Sequence, residues 1–266
     1  MPKDSPKSQI ENIRHSLAHL LAAAVLKKFP KAKLGIGPVI ENGFYYDFKL
    51  PRTLTPEDLK EFEGTMRELI REKLDFKGRK ITPAEAKKLF KDQKFKLDLI
   101  KDFAKEKKSL TAYYTCPPNT KNLSPKTCFV DLCRGGHVKN TSEIPADGFT
   151  LTKVAGAYWK GDEKNPQLQR IYGLAFQNKK ELDAYLHMLA EAQKRDHRKL
   201  GKDLDLFLFR EEVGPGLPLW TEKGATIRRE LERFIVDEEI KRGYSHVYTP
   251  DLARVKLYEI SGHYPY

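Results

Sequence analysis

The chain has 266 residues, a formal net charge of +12 at pH 7 and 32% charged residues, and this length predicts about two domains. It has no apolar run of about 18 residues, which argues against a membrane span, and its 14 Phe, 12 Tyr and 2 Trp argue against wholesale disorder. Residues 1–6 lack the apolar core of a secretory signal. Three cysteines, an odd number, argue against a disulfide framework and fit a reducing compartment. The basic balance points to a polyanionic partner, although a solvated surface would also account for it.

The first half of the chain alternates helical and strand patterns. The predicted elements are a helix over 10–29, two strands over 34–48, a helix over 55–73, a helix over 81–91, and a stretch without clear preference over 95–115. The two strands meet at Asn42-Gly43, the strongest short signal for a hairpin. Thr55 and Thr82, each followed by proline, predict the caps of the second and third helices.

The second half changes character within residues 180–200. The predicted elements are short strands with glycine-rich turns over 130–151, strands over 152–176, a polar helix over 178–198, a strand over 204–209, a helix over 224–242 and a short strand over 245–249. The helix over 178–198 is therefore predicted to link two modules. The apolar stripe of the helix over 224–242 favours a core or dimer contact over a ligand site.

Two pairs of residues could carry chemistry together. His15 and His19 are four apart on a predicted helix, so both imidazoles point to one side. Cys133 and His137 are also four apart, and two glycines between them allow a tight backbone path. Three imidazoles and a thiolate suit zinc, while the alternative is a buried cysteine and three unrelated histidines.

An aromatic, glycine-rich hairpin is predicted over residues 155–173. Its Tyr158 and Trp159 lie near Lys160 and Arg170 in the sequence. Aromatic side chains interleaved with cations can stack on bases or follow a phosphate backbone. Ordinary strand packing is the alternative, and it is favoured on physical grounds.

These pieces, in this order, resemble the threonyl-tRNA synthetase family over nearly the whole chain. The matching segments are HxxxH at 15–19, DLCRGGH at 131–137, AGAYWKGD at 155–162, LQRIYGLAF at 168–176, RDHRKLGKDLDLF at 195–207, GATIRRELE at 224–232 and SGHYPY at 261–266. The HxxxH and CxxxH pairs resemble the editing domain shared by threonyl- and alanyl-tRNA synthetases. The segments at 155–162 and 195–207 favour the threonyl enzyme. Residues 242–252 resemble motif 1 of class II synthetases, which implies a dimer contact through Arg242, Gly243 and Pro250.

The resemblance implies an α+β fold in three parts. Residues 1–178 would form the editing domain, an antiparallel sheet with packed helices. Residues 179–200 would form a linker helix, and residues 201–266 the incomplete start of a class II catalytic domain. On this basis the chain is expected to be an N-terminal portion of the enzyme, unable to form threonyl-adenylate alone.

The resemblance also implies an editing site. Its members would be His15, His19, Lys96, Asp131, Cys133 and His137, with Tyr46 binding substrate. Asp131 and Cys133 would recognise the misattached serine or its terminal adenosine, and the histidines with Lys96 would position the attacking water. His15, His19, Cys133 and His137 would be the ligands of any zinc at this pocket, which in this family can also be metal-free.

The activity implied by the family is ATP-dependent attachment of threonine to tRNA(Thr), with hydrolysis of seryl-tRNA made in error. The expected partners and cofactors are tRNA(Thr), threonine, ATP with magnesium, and a catalytic-domain zinc whose ligands lie beyond this chain. A homodimer in the cytoplasm, with no membrane contact, is expected. The alternatives are a free-standing hydrolase acting on seryl-tRNA in trans and a non-catalytic tRNA-binding module.

Overall fold

The computed structural model describes residues 6–106 and 108–264, with side chains from residue 9 onward. The predicted absence of a signal sequence rests largely on residues 1–5, and the SGHYPY match ends in Pro265-Tyr266, so these features lie outside the described residues. The chain divides into two compact units, Met1–His187 and Met188–Tyr266.

The first unit mixes helices with antiparallel strands. Its elements in chain order are α1 (Pro6–Lys28), β1 (Lys33–Leu34), β2 (Val39–Ile40), β3 (Gly43–Lys49), α2 (Pro56–Arg71), β4 (Asp75–Ile81), α3 (Pro83–Leu89), α4 (Lys94–Lys105), β5 (Leu110–Cys116), β6 (Phe129–Leu132), β7 (Phe149–Tyr158), β8 (Gln167–Ala175) and α5 (Lys179–Lys194), which runs into the second unit.

Two antiparallel sheets organise the described residues of this unit. The larger has the order β1-β3-β8-β7, with β2 also paired to β3, and the smaller has the order β4-β5-β6. This confirms the predicted mixture of helices and antiparallel strands.

Helix α1 lies in the main core. Leu17, Leu20, Leu21 and Val25 are at most 1% exposed, and each buried aliphatic side chain contributes about 1.5–3 kcal/mol. A helix buried on several sides holds its polar residues firmly as well, because close packing leaves few alternative rotamers. His15 and His19 are therefore carried on a rigid support.

The predicted hairpin forms, but its turn lies one residue earlier than expected. Ile40 pairs with Gly43, so Glu41 and Asn42 form the two-residue connection and Gly43 begins β3. A Cβ at Gly43 would lie 1.9 Å from the carbonyl oxygen of Gly173 on β8. Gly43 is thus required for the close approach of two strands rather than for the turn.

The stretch 95–115 contains helix α4 and strand β5. Gln93 precedes α4 without a side-chain cap, which removes the usual signal for a helix start. Phe95 and Ile100 of α4 are buried, so tertiary packing rather than local sequence determines this helix. Strand β5 is the centre of the smaller sheet and lies between β4 and β6.

A disulfide joins Cys116 to Cys128, with a Cα–Cα distance of 4.5 Å. The odd cysteine count did not anticipate this pair. Thr115 is paired with Phe129 across β5 and β6, so the next residues outward, Cys116 and Cys128, face each other where the strands leave the ladder. Only Cys133 among the described residues keeps a free thiol.

The disulfide closes a short loop, and its removal is expected to destabilise the first unit. Closing a loop of this length lowers the conformational entropy of the unfolded chain, which stabilises the folded state by about 3 kcal/mol at 25 °C. Replacing both cysteines with alanine should lower the free energy of unfolding in urea by about this amount under oxidising conditions. Under a strong reductant the two proteins should differ by much less, and an equal difference in both conditions would contradict the assignment.

As far as residue 264, the second unit contains the end of α5 and four further groups of elements. They are α6 (His197–Asp203), the paired strands β9 (Phe207–Leu208) and β10 (Leu219–Trp220), α7 (Glu222–Lys241) and α8 (Val255–Ile260). The predicted helix over 178–198 is interrupted, because Asp196 accepts a hydrogen bond from the Arg198 amide and caps α6.

The strand predicted over 245–249 is wrong. These residues form no ladder with any described part of the chain, and Tyr248 is 92% exposed. An isolated strand has no partner for its backbone groups and does not persist alone. The apolar stripe of α7 is also exposed, with Leu231 and Phe234 each more than 60% accessible.

No helix among the described residues is long and apolar enough to span a membrane.

Candidate functional site

The site begins with two histidines on α1. His15 and His19 are one helical turn apart, and their ring centroids are 5.3 Å apart in an edge-to-face arrangement. His19 is buried, and its Nδ1 finds no hydrogen-bond partner among the described residues. An unpartnered buried ring nitrogen is costly, so it marks a place where a ligand, water or ion would be stabilised.

The segment after β6 brings the second pair to the same place. The Cys133 sulfur lies 3.4 Å from His15 Nε2 and 3.2 Å from His137 Nε2. Gly135 and Gly136 adopt φ values of +102° and +84°, which side chains with a Cβ rarely adopt. These two glycines let the chain turn so that Cys133 and His137 face α1.

The predicted four-residue cluster is therefore present. Each of its residues offers one ligand atom, and these atoms lie within 4.8 Å of one another; the residues are His15, His19, Cys133 and His137. The described part of the structure thus supports the joint interpretation over that of unrelated residues.

Burial keeps this cluster neutral. It lowers the pKa of His15, and it lowers the pKa values of His19 and His137 strongly, with mutual repulsion among the imidazoles adding to the effect on the last two. Burial also raises the pKa of the Cys133 thiol to about 12. The site at neutral pH therefore holds three imidazoles with free lone pairs and one protonated thiol.

A second, charged group lies beside the cluster. Asp131 accepts hydrogen bonds from the Tyr46 hydroxyl at 2.5 Å and from the Leu132 amide at 2.7 Å, and it pairs with the Lys96 ammonium at 2.5 Å. Lys96 also donates to the Tyr46 hydroxyl at 3.0 Å. Lys96 and Asp131 are each 2% exposed.

This triad joins separate elements of the fold. Tyr46 comes from β3, Lys96 from α4 and Asp131 from β6. Burial raises the pKa of Tyr46 well above its usual value, and the Asp131 carboxylate raises it further, so the hydroxyl remains a donor. Asp131 also lies 3.7 Å from His19 Nε2, which connects the triad to the cluster.

A cavity of about 480 Å³ opens at this point. Its walls include five of the predicted site residues, which are His15, His19, Lys96, Asp131 and Cys133. Apolar residues from four segments also line it: Ile36, Pro38, Leu99, Phe103, Leu110 and Leu132. Such a mixture of apolar walls and convergent polar groups is typical of a small-ligand site.

Three supporting residues were not anticipated from the sequence. Ser16 accepts a hydrogen bond from the Val138 amide and lies 3.2 Å from His137 Nδ1, so it orients that ring. Phe76 stacks on the His137 ring at 4.9 Å. A Cβ at Gly37 would lie 2.2 Å from the Tyr46 ring, so glycine is required there. Only Ser16 had a sequence signal, its position within the HxxxH segment.

The residues predicted for motif 1 lie in the second unit, apart from the seven site residues in sequence. Arg242 ends α7 and pairs with Glu238 at 2.8 Å. Gly243 follows with a φ of +87°, and Pro250 lies in a segment without regular structure. Their role in a dimer stays a prediction.

The aromatic hairpin follows the packing alternative at its centre. Trp159 is 5% exposed and packs against Phe95 with ring centroids 4.9 Å apart. Arg170 makes two hydrogen bonds to Asp47 and lies over the Tyr45 ring at 3.8 Å. Of the aromatic hairpin residues singled out, only Tyr158 is exposed, at 45%.

The part of the first unit that carries Asp131, Cys133 and His137 matches a known domain family. Residues 114–172 match the family described as "Threonyl and Alanyl tRNA synthetase second additional domain". The match runs from β5 to β8 and thus contains the CxxxH half of the cluster.

Relatives extend the similarity to nearly the whole chain. It is 50% identical over 262 residues to a threonine–tRNA ligase of Dehalococcoides mccartyi, covering 98% of this chain and 42% of that protein. Threonine–tRNA ligases of Geobacillus and Staphylococcus aureus are 47% and 48% identical over 98% and 96% of this chain. The predicted resemblance to this family is confirmed. The chain spans about two fifths of the length of these relatives.

Proposed function

We propose that this chain carries the editing site of a threonine–tRNA ligase and hydrolyses the ester bond of seryl-tRNA. The observation that carries this proposal is the cavity where the neutral His/Cys cluster meets the buried Tyr46–Asp131–Lys96 triad. The cavity offers proton acceptors, a cation and fixed donors within one small enclosure. Those are the groups that ester hydrolysis by an activated water requires.

The proposed roles follow from the contacts. A neutral imidazole of His15 or His19, the two histidines that line the cavity, takes a proton from the attacking water, which forms a bond to the carbonyl carbon of the seryl ester. The bond from that carbon to the ribose oxygen then breaks, and the oxygen receives the proton, releasing serine and tRNA. The ammonium of Lys96 stabilises the negative charge that develops on the carbonyl oxygen. Tyr46 and Asp131 hold Lys96 in place, and Asp131 and Cys133 contact the bound serine.

The need for such a site follows from the size of the substrates. Serine lacks one methyl group of threonine, and a synthetic site can gain only about 1–3 kcal/mol of discrimination from a methyl. A second cavity that admits serine and excludes the extra methyl corrects the remaining errors. The apolar wall residues Ile36, Leu99 and Leu132 supply the exclusion in this proposal.

The test is deacylation of seryl-tRNA(Thr) compared with threonyl-tRNA(Thr) by the purified chain. We expect the seryl ester to be hydrolysed at least about tenfold faster, as expected for the discrimination that one methyl group provides. Equal rates for the two esters, or no hydrolysis above the spontaneous rate, would overturn the proposal. Activity of the chain alone would also support the alternative of editing in trans.

We further propose that a protein containing this chain charges tRNA(Thr) with threonine, using ATP and magnesium, as a homodimer in the cytoplasm. Support comes from the name of the relatives and from the resemblance of residues 242–252 to motif 1 of class II synthetases. The chain alone is expected to show no ATP–pyrophosphate exchange with threonine. Such exchange would show that the adenylate site lies within these residues.

We also propose that the His/Cys cluster binds one zinc ion. The donor set fits, since three imidazoles and one thiol within 4.8 Å match the ligands and number that zinc prefers. The unpartnered His19 Nδ1 favours occupancy as well. Bound zinc would act as a Lewis acid at the cavity. Because it would occupy the imidazole lone pairs, the general-base step described above belongs to the metal-free chain.

Zinc binding is expected to release about one proton, because the Cys133 thiol is protonated beforehand and the imidazoles are neutral. Calorimetric titrations in buffers of different ionisation enthalpy measure this number. Cys133→Ser should weaken binding by at least about tenfold, whereas His187→Ala, at an exposed position on α5, should not change it. If Cys133→Ser bound zinc as tightly as the unsubstituted chain does, the proposed zinc site would be contradicted.

A further inference from the structure

Helix α4 carries Lys96 into the site, yet its outer face is held by the turn between β7 and β8. The Trp159 indole N–H donates to the Asp98 carboxylate at 2.8 Å. Lys160 pairs with Asp98 at 2.9 Å and with Asp102 at 2.5 Å. We call these contacts the α4 clamp, made by Trp159 and Lys160 on one side and Asp98 and Asp102 on the other.

The clamp is built from buried packing as well as polar contacts. Trp159 joins Phe95 and Leu168 in a small hydrophobic cluster of its own, with Leu99 packed against it. Phe95 and Leu99 flank Lys96 and Asp98 on α4. Since residues two apart on a helix point in nearly opposite directions, Lys96 faces the site while Asp98 faces the clamp.

The turn that bears the clamp is held by its own hydrogen bonds. Lys160 adopts a φ of +57° and Gly161 a φ of +75°, and the left-handed conformation at a lysine costs about 1–2 kcal/mol. The Trp159 amide donates to the Pro166 carbonyl at 3.1 Å, and Asn165 donates to the Trp159 carbonyl at 3.0 Å. These bonds hold the turn in the one conformation that places both side chains on α4.

The same hairpin is continuous with the strand next to Tyr46. The turn leads into β8, where Ile171 pairs with Tyr46 of β3. The clamp therefore ties α4 to the sheet that carries Tyr46. The 3.0 Å distance from Lys96 Nζ to the Tyr46 hydroxyl depends on the position of α4 relative to that sheet.

From this geometry we infer that Trp159 and Asp98 are positioning residues for Lys96 in the proposed hydrolysis. The inference rests on the proposed function for its activity readout only. Trp159 touches neither the cavity nor Asp131, so it acts through α4. Its bond to Asp98 is the main contact because the donating indole is buried, with Trp159 only 5% exposed. In the Lys160 pairs both side chains are more than one-third exposed, and exposed ion pairs contribute little.

The test begins with Trp159→Phe, which keeps an aromatic ring against Phe95 and removes the N–H donor. Seryl-tRNA hydrolysis should fall about tenfold in kcat with KM changed less than twofold, since a displacement of about 1 Å can cost up to a hundredfold. Asp98→Leu should behave in the same way, while Asp98→Asn, which keeps an oxygen acceptor, should retain at least half the activity.

Lys160→Met should lower kcat less than threefold. Trp220→Phe in the second unit is the matched control and should retain the activity of the unsubstituted chain.

A double-variant comparison separates positioning from general destabilisation. In a Lys96→Met background, Trp159→Phe should cause no further fall in kcat, because the group that it positions is gone. An undiminished tenfold fall in that background, or full activity of Trp159→Phe alone, would overturn the inference.

Hydrogen exchange of residues 94–105 gives a readout that does not need activity. Trp159→Phe should accelerate amide exchange in α4 at least about fivefold and leave α1 unchanged, while Trp220→Phe should change neither. Unaltered exchange in α4 would overturn the inference even if the chain hydrolyses seryl-tRNA. If Trp159→Phe accelerates amide exchange in α4 but the unsubstituted chain does not hydrolyse seryl-tRNA, the proposed function is refuted. The clamp would then still be the determinant of the α4 position.

Discussion

Asp131→Asn is expected to lower the free energy of unfolding by about 3 kcal/mol and to abolish seryl-tRNA hydrolysis. Asp131 is the only carboxylate paired with Lys96 among the described residues, and both side chains are 2% exposed. The substitution leaves the Lys96 ammonium buried without a countercharge, and breaking such a pair from one side costs about 3–5 kcal/mol. Urea unfolding followed by circular dichroism measures the change.

The companion variants show whether the cost comes from the unpaired charge. Lys96→Met combined with Asp131→Asn should regain at least half of the lost stability, because neither position then bears a charge. It should regain no hydrolysis. Asp183→Asn, at an exposed position on α5, makes the same chemical change and should alter stability by less than about 0.5 kcal/mol. Additive losses in the double variant would contradict the pairing.

The fold was predicted well where the pattern was local. Helix α1 and helix α2 carry regular apolar spacing, and Thr82 with Glu85 forms the capping box that begins α3, so short-range rules sufficed. Helix α4 and strand β5 escaped prediction because their identity depends on packing partners far along the chain. The strand predicted over 245–249 failed for the same reason, since strand-forming residues without a partner strand form no ladder.

The site residues also separate into those that local sequence predicts and those that it does not. The i, i+4 spacing places His15 and His19 together from sequence alone, and the two glycines suggest a tight path from Cys133 to His137. Tyr46 and Lys96 came only from the family resemblance. No local rule brings β3, α4 and β6 to one point, and a single buried lysine in a charged segment looks like any solvated one. The sequence of the hairpin around Trp159 fits both base stacking and ordinary packing, and only the contact of its indole with Asp98 distinguishes them.

His19→Ala is expected to reduce the kcat for seryl-tRNA hydrolysis by about 10²–10⁴, the range of a general acid–base group. His19 lies where the two halves of the site meet. Its Nε2 is 3.7 Å from the Asp131 Oδ2, and its ring centroid is 4.2 Å from that of His137. Single-turnover deacylation at saturating enzyme measures the chemical step and separates it from tRNA binding.

The matched control is His187→Ala, which removes an exposed imidazole from α5 and should leave the rate unchanged. Filter binding of tRNA, measured in parallel, should be similar for both variants because the buried His19 does not contribute to surface charge. This comparison distinguishes the editing site from the alternative of a non-catalytic tRNA-binding module. Such a module would bind tRNA with a steep salt dependence, and its background rate of deacylation would be the same with or without His19. Equal rates for His19→Ala and the unsubstituted chain would therefore favour binding without catalysis, whereas a selective loss in His19→Ala assigns the hydrolysis to this cluster.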